Sequence, residues 1–483
     1  MSAGTSEAPY APLTCPAGFL AHYFALGLNM SSTAEVVICG AGIAGIATAY
    51  QLAVTYGVKN VVIVDERPPL TLTSDKSSEA YRNWWPDELM VRLMNRSIDW
   101  LERWAHDSGN RFLLNRRGYL YFTANPASIP SFQRAAQLAA QAGAGEVRVH
   151  ADRSRDAAYA PIDPHRFDDQ PTGSDLLLDR SLILDRFSGL NPDVVAAVHA
   201  RRCGWFSGQQ LGMYLLEKAR EQGVTLINDR IDRVRVRANR VEELHLASDR
   251  SISTRSFVNA AGPFVQSVGQ LIGVEIPVIH ERHLKIAFKD YLGIVPRDAP
   301  LMIWTDPQYL PWTADEHTDL AASDDTRWLL DEFPGGVHLR PEGGGDSNLV
   351  LMLWAYHVEP CEPIVPPPLD EFFPEVVLRG MSAMFPGLRA YFGKSAVLLY
   401  DGGYYTKTPE NRPLAGPLPV EGAYVCGALS GYGLMASAAV GELVAAHITG
   451  NTLPDYAPTF SIERYTDPGY RRWLENWQPA GQL

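Results

Sequence analysis

Cysteine is scarce in this 483-residue chain: Cys15, Cys39, Cys203, Cys361 and Cys426 are odd in number, far apart and form no CxxC pair. That excludes a disulfide framework and a cysteine-based zinc site, and a reducing, cytoplasmic compartment is expected. Cys39 and Cys426 lie in apolar runs and read as small core hydrophobes rather than reactive thiols. Long hydrophobic runs are missing too, since no segment reaches the ~18 apolar residues that a membrane span requires. Basic charge is in deficit, with 42 Lys and Arg against 55 Asp and Glu for a net −13. Nothing gathers those cations into a stripe, which argues against an electrostatic footprint for nucleic acid or anionic membrane, and a small-molecule partner is expected. Hydrolytic motifs are absent: there is no HExxH and no serine nucleophile elbow. The Asp-rich stretch 312–332 lacks the glycine and terminal glutamate of an EF-hand and reads as a solvated loop or lid, so no metal is expected.

The first 33 residues contain no Lys or Arg, which a secretory signal needs near its start. Their apolar cluster, CPAGFLAHYFALGLNM, reads as an arm that packs on the body or on another subunit, with a membrane-surface anchor as the alternative. The rest is ordinary globular protein, 46% hydrophobic and 20% charged, long enough for two joined domains.

A β-branched run, Glu35 to Cys39, leads directly into Gly40-Ala41-Gly42-Ile43-Ala44-Gly45 and then into a helical pattern, IATAYQLAVTYG. In this strand, turn and helix, Gly40 permits the tight turn, Gly42 lets the backbone approach a pyrophosphate, and Gly45 lets helix and strand pack closely. The second strand, VVIVDE, ends about 20–25 residues on in Asp65, the expected ribose ligand, with Glu66 the alternative if the register slips by one. Further along, TLIND, RVRVR and ELHLAS read as hairpin strands before SFVNAAGPFV, where a strand meets Ala261-Gly262. A last strand, Ala423 to Cys426, precedes a glycine turn at Gly431 and Gly433 and a helix running to Gly450. A second helix N-terminus of this kind suits the second polar end of a long cofactor.

Taken together, GAGIAGIATAYQLA with VVIVDE, TSDKSSEAYRNWWP, FVNAAGPF, YYTKTPENRPLAG and ALSGYGLMASAAVGELVAAHITG resemble the D-amino-acid oxidase superfamily. Within it the match is to the sarcosine oxidase and glycine oxidase type, over roughly Val36 to Gly450. The resemblance implies an α/β fold: a Rossmann-type FAD-binding domain interleaved with an α+β substrate domain on a large mixed sheet. The expected division is an arm at 1–33, FAD-binding parts at 34–110, 201–275 and 396–460, substrate-domain parts at 111–200 and 276–395, and a tail at 461–483. The resemblance also implies oxidation of a carbon bonded to an amine nitrogen. Carried over by position, Ser74, Ser77 and Ser78 pass beside the flavin and its phosphates, and the Ile231 backbone contacts adenine. Ala261 and Gly262 approach the cofactor, while Gly431, Tyr432, Gly433, Leu434 and Met435 lie under the flavin ring. Arg82 falls near a carboxylate-clamping arginine, His357 matches a strand histidine that contacts substrate, and Tyr404 and Tyr405 fall at an active-site tyrosine. Trp84, of the pair Trp84-Trp85, is the candidate pocket wall.

Three departures shape the expectation. Gly403 stands where sarcosine oxidases carry the cysteine that attaches FAD, which implies a noncovalent cofactor. Leu353 stands where they carry a lysine that speeds reaction with oxygen, so an acceptor other than oxygen is a serious reading. Met435 stands in place of a second carboxylate-binding cation, implying a more apolar pocket. Other flavin chemistries, a monooxygenase or an alcohol dehydrogenase, and a noncatalytic flavoprotein subunit are the alternatives. The cluster His280, Glu281, Arg282, His283 and Lys285 alternates polar with apolar residues and is expected to be a half-exposed strand. Cys361 to Leu369 reads as a Pro-rich connector before a helix near Asp370.

Overall fold

The computed structural model of the protein describes residues 33–394 and 396–477. The arm expected at 1–33 lies outside them except for Thr33. Strand Thr33–Cys39 is the centre of an eight-stranded sheet, flanked in parallel by Val61–Asp65 and by Ser251–Asn259. Thr225–Asn228 extends the parallel set on one side and Ala423–Gly427 on the other. A strand buried on both faces has no reason to alternate, and Val36, Val37 and Ile38 are all fully buried. The hairpin Ile231–Arg237 and Arg240–Leu246 closes one edge in antiparallel pairing, as its sequence pattern indicates.

Helices Ile43–Tyr50, Gly208–Glu221 and Gly433–Thr449 join the core of this unit. The first and last approach closely because Gly441 lacks a side chain: a Cβ there would lie 2.9 Å from the Thr48 nitrogen. Gly433–Thr449 stops at Gly450, whose φ of 68° places it in the left-handed conformation that ends helices. The 21-residue helix Glu88–Ser108 is capped by Asp87 and packs its apolar stripe on the same core.

The second sheet has nine strands in the order Val397–Lys407, Ile279–Lys289, Leu349–Leu353, Val337–Glu342, Leu301–Trp304, Tyr119–Thr123, Ala196–Ala200, Ser174–Leu177 and Val147–His150. Residues directly opposite across paired strands share a face. One face, with Leu120, Ile286, Met302, Leu339 and Met352, packs on helix Phe373–Met381. The register Lys285 to Leu353 to His338 to Ile303 to Tyr121 defines a row on the other face, which is turned toward the first sheet. The architecture is thus a Rossmann-type unit joined to an α+β unit on a large mixed sheet. Among the described residues no helix is long and apolar enough to cross a membrane.

Three local expectations are corrected. The acidic stretch is not merely a loop: Ala314–Ala321 is a helix with a capping box between Thr313 and Glu316, and Glu316 pairs with buried Arg379. The IHERHLKIAF segment is not half-exposed, because its strand has a partner on each side and Glu281 and Leu284 to Phe288 are buried. The segment expected as a tail at 461–483 is built in as far as 477: Arg464 is buried against Glu410, and helix Pro468–Glu475 follows.

Candidate active site

Between the two sheets lies a cavity of about 520 Å³, within the size of cofactor clefts. One end is the glycine turn. Gly40 has φ +111°, and a Cβ on it would stand 2.4 Å from the Ala260 carbonyl oxygen, so only glycine fits between the first strand and Ala260. A Cβ on Gly45 would stand 2.0 Å from the Gly40 oxygen, which locks the turn onto the helix. Helices Ile43–Tyr50 and Gly433–Thr449 both start at the cavity, and neither has its own side-chain cap or an acid in its first turn. Ser74, from the neighbouring segment, accepts the Ile43 N–H at 3.0 Å. Two helix N-termini facing one cavity suit a ligand with two separated anionic or electron-rich ends.

Asp65 sits at the mouth of the turn, accepting N–H groups from Ala41 at 2.7 Å and Arg67 at 2.9 Å. A carboxylate has about four acceptor positions, so sites remain for hydroxyl donors. Glu66 instead faces Arg67 and Arg230. Gly40, Gly42, Ile43, Ala44, Asp65, Glu66, Ser74, Ser77, Ile231, Ala261, Gly262, Gly403, Tyr404, Tyr405, Gly431, Gly433 and Leu434 all line the cavity. Sequence reasoning therefore assembled most of one wall from segments hundreds of residues apart.

Other candidates stand behind that wall. Ala41 and Gly45 shape the turn from beneath it. The Ser78 carbonyl accepts from Arg340, the buried Tyr432 hydroxyl donates to the Asn411 carbonyl, and Met435 is buried in the core of the first unit. Arg82 is buried, with its guanidinium donating to the Tyr121 hydroxyl at 2.8 Å and lying over the Trp85 ring. Trp84 packs on Tyr121. His357 is a correction: strand Leu349–Leu353 ends before it, so strand alternation does not carry it to the cavity. The Trp354 ring fills the space left open at Gly380 and its indole donates to the Pro334 carbonyl, leaving His357 among Trp328, Tyr356 and Asp370.

The structure adds residues that the sequence pattern hid. His283 lines the cavity and stacks face to face on Tyr405, ring centroids 3.5 Å apart. Tyr405 in turn covers Gly431, where a Cβ would stand 2.2 Å from its ring. Burial lowers the basicity of His283 and pushes the Tyr405 hydroxyl up to about 12, so the imidazole is neutral and the phenol protonated at neutral pH. Burial likewise pushes the cavity thiols of Cys39 and Cys426 up to about 12 and about 11, which leaves them inert. Lys285 and Arg340, both buried on the face turned toward the first sheet, donate to consecutive parts of the segment that carries Ser74 and Ser77. Lys285 Nζ reaches the carbonyls of Asp75 (3.1 Å) and Ser77 (3.0 Å), and Arg340 Nε reaches that of Ser78 (2.8 Å). Buried cations are rare enough that strand patterning assigns them outward.

Residues 35–447 match the family model described as FAD dependent oxidoreductase (DAO), and the chain belongs to that family. Its cofactor is accordingly FAD, and the chain is an oxidoreductase. Solved structures share the fold along nearly the whole chain. L-proline dehydrogenase from P. horikoshii superposes with a TM-score of 0.68 at 20% identity, covering 92% of this chain and 99% of that one. Glycine oxidase from Geobacillus kaustophilus gives 0.67 at 15% identity, covering 89% and 98%. L-amino acid deaminase from Proteus myxofaciens, in complex with anthranilate, gives 0.66 at 16% identity, covering 91% and 95%. No curated protein matches the sequence.

The pinning of the 74–79 segment has a measurable consequence. In Lys285→Met two carbonyls lose a charged donor, a loss worth roughly 1.5–3 kcal/mol per bond at most. FAD affinity is expected to fall about tenfold, about 1.4 kcal/mol, with faster proteolysis near Ser77 in the apoprotein. Unchanged affinity and unchanged cleavage would show that the lysine holds nothing.

Proposed function

We propose that this chain oxidises the C–N bond of an amine or amino acid to an imine, which water then hydrolyses. The single observation that carries the reading is the part of the cavity wall made of Leu353, His283, Tyr404 and Tyr405. It offers apolar and aromatic surface and one neutral base, and its tyrosines are protonated. Such a wall binds and orients; it has no group suited to attack a carbon. Oxidation by hydride loss asks for that alone: a neutral amine held with its α-C–H aimed correctly. FAD, when bound, supplies the hydride acceptor.

In this reading Gly40 to Gly45 hold the pyrophosphate, Asp65 the ribose hydroxyls, the Ile231 backbone the adenine, and the start of Gly433–Thr449 the electron-rich edge of the flavin. Gly403 has no side chain to bond the cofactor, and Lys76 Cβ lies 3.0 Å from where its Cβ would stand, so FAD is held noncovalently. Leu353 on the cavity wall supports an acceptor other than oxygen. The holoenzyme tests all of this. Anaerobic mixing with N-methyl, D-, L- and cyclic amino acids should bleach the flavin with at least one of them, and admission of air then distinguishes oxidase from dehydrogenase. Bleaching by alcohols alone, or NADPH-driven oxygen uptake, would overturn the reading in favour of its flavoenzyme rivals.

A further inference from the structure

We propose that His283, oriented by the Glu281–Lys407 ion pair, is the base that takes the proton from the substrate ammonium before its carbon is oxidised. The inference rests on the amine-oxidising reading above and goes beyond it, since that reading asks only for a neutral amine and does not say how the site obtains one. Simple amines have pKa values near that of lysine, about 10.4, so at pH 7 they arrive almost wholly as ammonium ions. An ammonium has no lone pair with which to expel hydride.

The geometry is that of an oriented base. His283 is on strand Ile279–Lys289, directly opposite Gly403, and its ring is held flat against Tyr405. Its Nε2 faces Glu281 Oε2 at 3.4 Å, and the other oxygen of Glu281 pairs with Lys407 Nζ at 2.5 Å. The carboxylate sets the Nε2–H tautomer, which leaves the Nδ1 lone pair free to accept. Nδ1 makes no hydrogen bond among the described residues. In the step itself an N–H bond of the ammonium breaks and an Nδ1–H bond forms. The positive charge passes to the imidazole, where Glu281 opposes it, and the freed lone pair remains on the amine. The proton returns to water as the product leaves.

The other titratable groups near the cavity are committed or mismatched. Tyr405 stays protonated, as do the thiols of Cys39 and Cys426. Lys76 is paired with Asp75 and Asp401, and Asp65 and Glu66 belong to the far end of the cavity. His338, across the sheet, is pushed down to about 4 by burial and its Nδ1 is bonded to the Gly336 carbonyl. The charges facing His283 are therefore Glu281 on its own strand and Lys407 on the neighbouring strand; Tyr405 and His338 face it uncharged, and the Lys76–Asp401 pair lies beyond Gly403.

His283→Gln in the holoenzyme tests the proposal by stopped-flow flavin reduction between pH 6 and 10, with the best amine from the panel. The expected result is a loss of about 10²-fold at pH 7, within the range of general-base contributions, shrinking to within about threefold at pH 10, where roughly a quarter of the amine is already neutral by itself. A substrate already neutral at pH 7, such as a β,β,β-trifluorinated amine, should lose less than threefold throughout. FAD affinity should stay within about twofold of the parent. Glu281→Gln keeps the imidazole without its countercharge and should lose about tenfold at pH 7 with the same recovery. A parallel loss at every pH, or an equal loss for the neutral amine, overturns the proposal. If no amine bleaches the parent enzyme, it is the reading of the function that fails.

Discussion

Gly45→Val is expected to be recovered without bound FAD. A Cβ at this position would stand 2.0 Å from the Gly40 oxygen and 3.1 Å from its carbonyl carbon, both backbone atoms that have no rotamer to escape into. Gly40 cannot yield either, because it is wedged against the Ala260 carbonyl just past the end of the neighbouring strand. The cost should reach or exceed the upper end of the ~1–3 kcal/mol typical of overpacking, and it falls on the turn that positions Gly42 and the Ile43 N–H. The FAD dissociation constant, read by flavin fluorescence quenching, should rise at least about 10²-fold, about 2.7 kcal/mol. Gly344→Ala is the control, since a Cβ there meets nothing within 4 Å. A yellow Gly45→Val protein of parental affinity would show that the turn does not set the cofactor site.

The second large effect lies far from the glycine turn. Arg464 and Glu410 form an ion pair that is almost completely buried, 2.6 Å apart, with Arg464 also donating to the Pro413 carbonyl. The hydroxyls of Tyr465 and Tyr470 both donate to Glu410. In Arg464→Met the carboxylate is left buried without a countercharge, a change that costs about 3–5 kcal/mol in comparable pairs. Urea unfolding should show that loss, and Arg464→Met with Glu410→Met should recover most of it, because removing both charges removes the desolvation penalty with them. An Arg464→Met protein as stable as its parent would mean that the C-terminal segment is an appendage. The consequence reaches the cavity: Asn411 beside Glu410 accepts the Tyr432 hydroxyl, and Ser430 donates its N–H to the Thr406 carbonyl just upstream. The segment after 460 thus helps hold the start of helix Gly433–Thr449.

What could be read in the chain and what could not divides along physical lines. The turn at Gly40 to Gly45, the acid at Asp65 and the helix start at Gly433 were legible because backbone approach and helix N-termini impose residue types at short, fixed spacings. His357 and His283 show the opposite case. Both stand in strand-like runs, and it was the family resemblance, not the local pattern, that pointed to His357; yet the strand before it ends at Leu353, where Trp354 turns into the gap at Gly380. His283 looked like one polar residue of a half-exposed strand. A strand with neighbours on both sides, lying between two units, has two buried faces, and only the sheet order reveals that. Lys285 and Arg340 were missed for the same reason, their partners being backbone carbonyls about 210 and 262 residues away in sequence.

The sequence by itself determined that the chain carries a dinucleotide turn, two helix N-termini for a long anionic cofactor, and membership signals spread from Val36 to Gly450. Those features are local, and local sterics write them into residue type. Only the tertiary structure decided which side chains share the cavity, because strand order and strand ends are set by long-range packing. Burial between the two sheets then turned His283 from an ordinary strand residue into a neutral, carboxylate-oriented base.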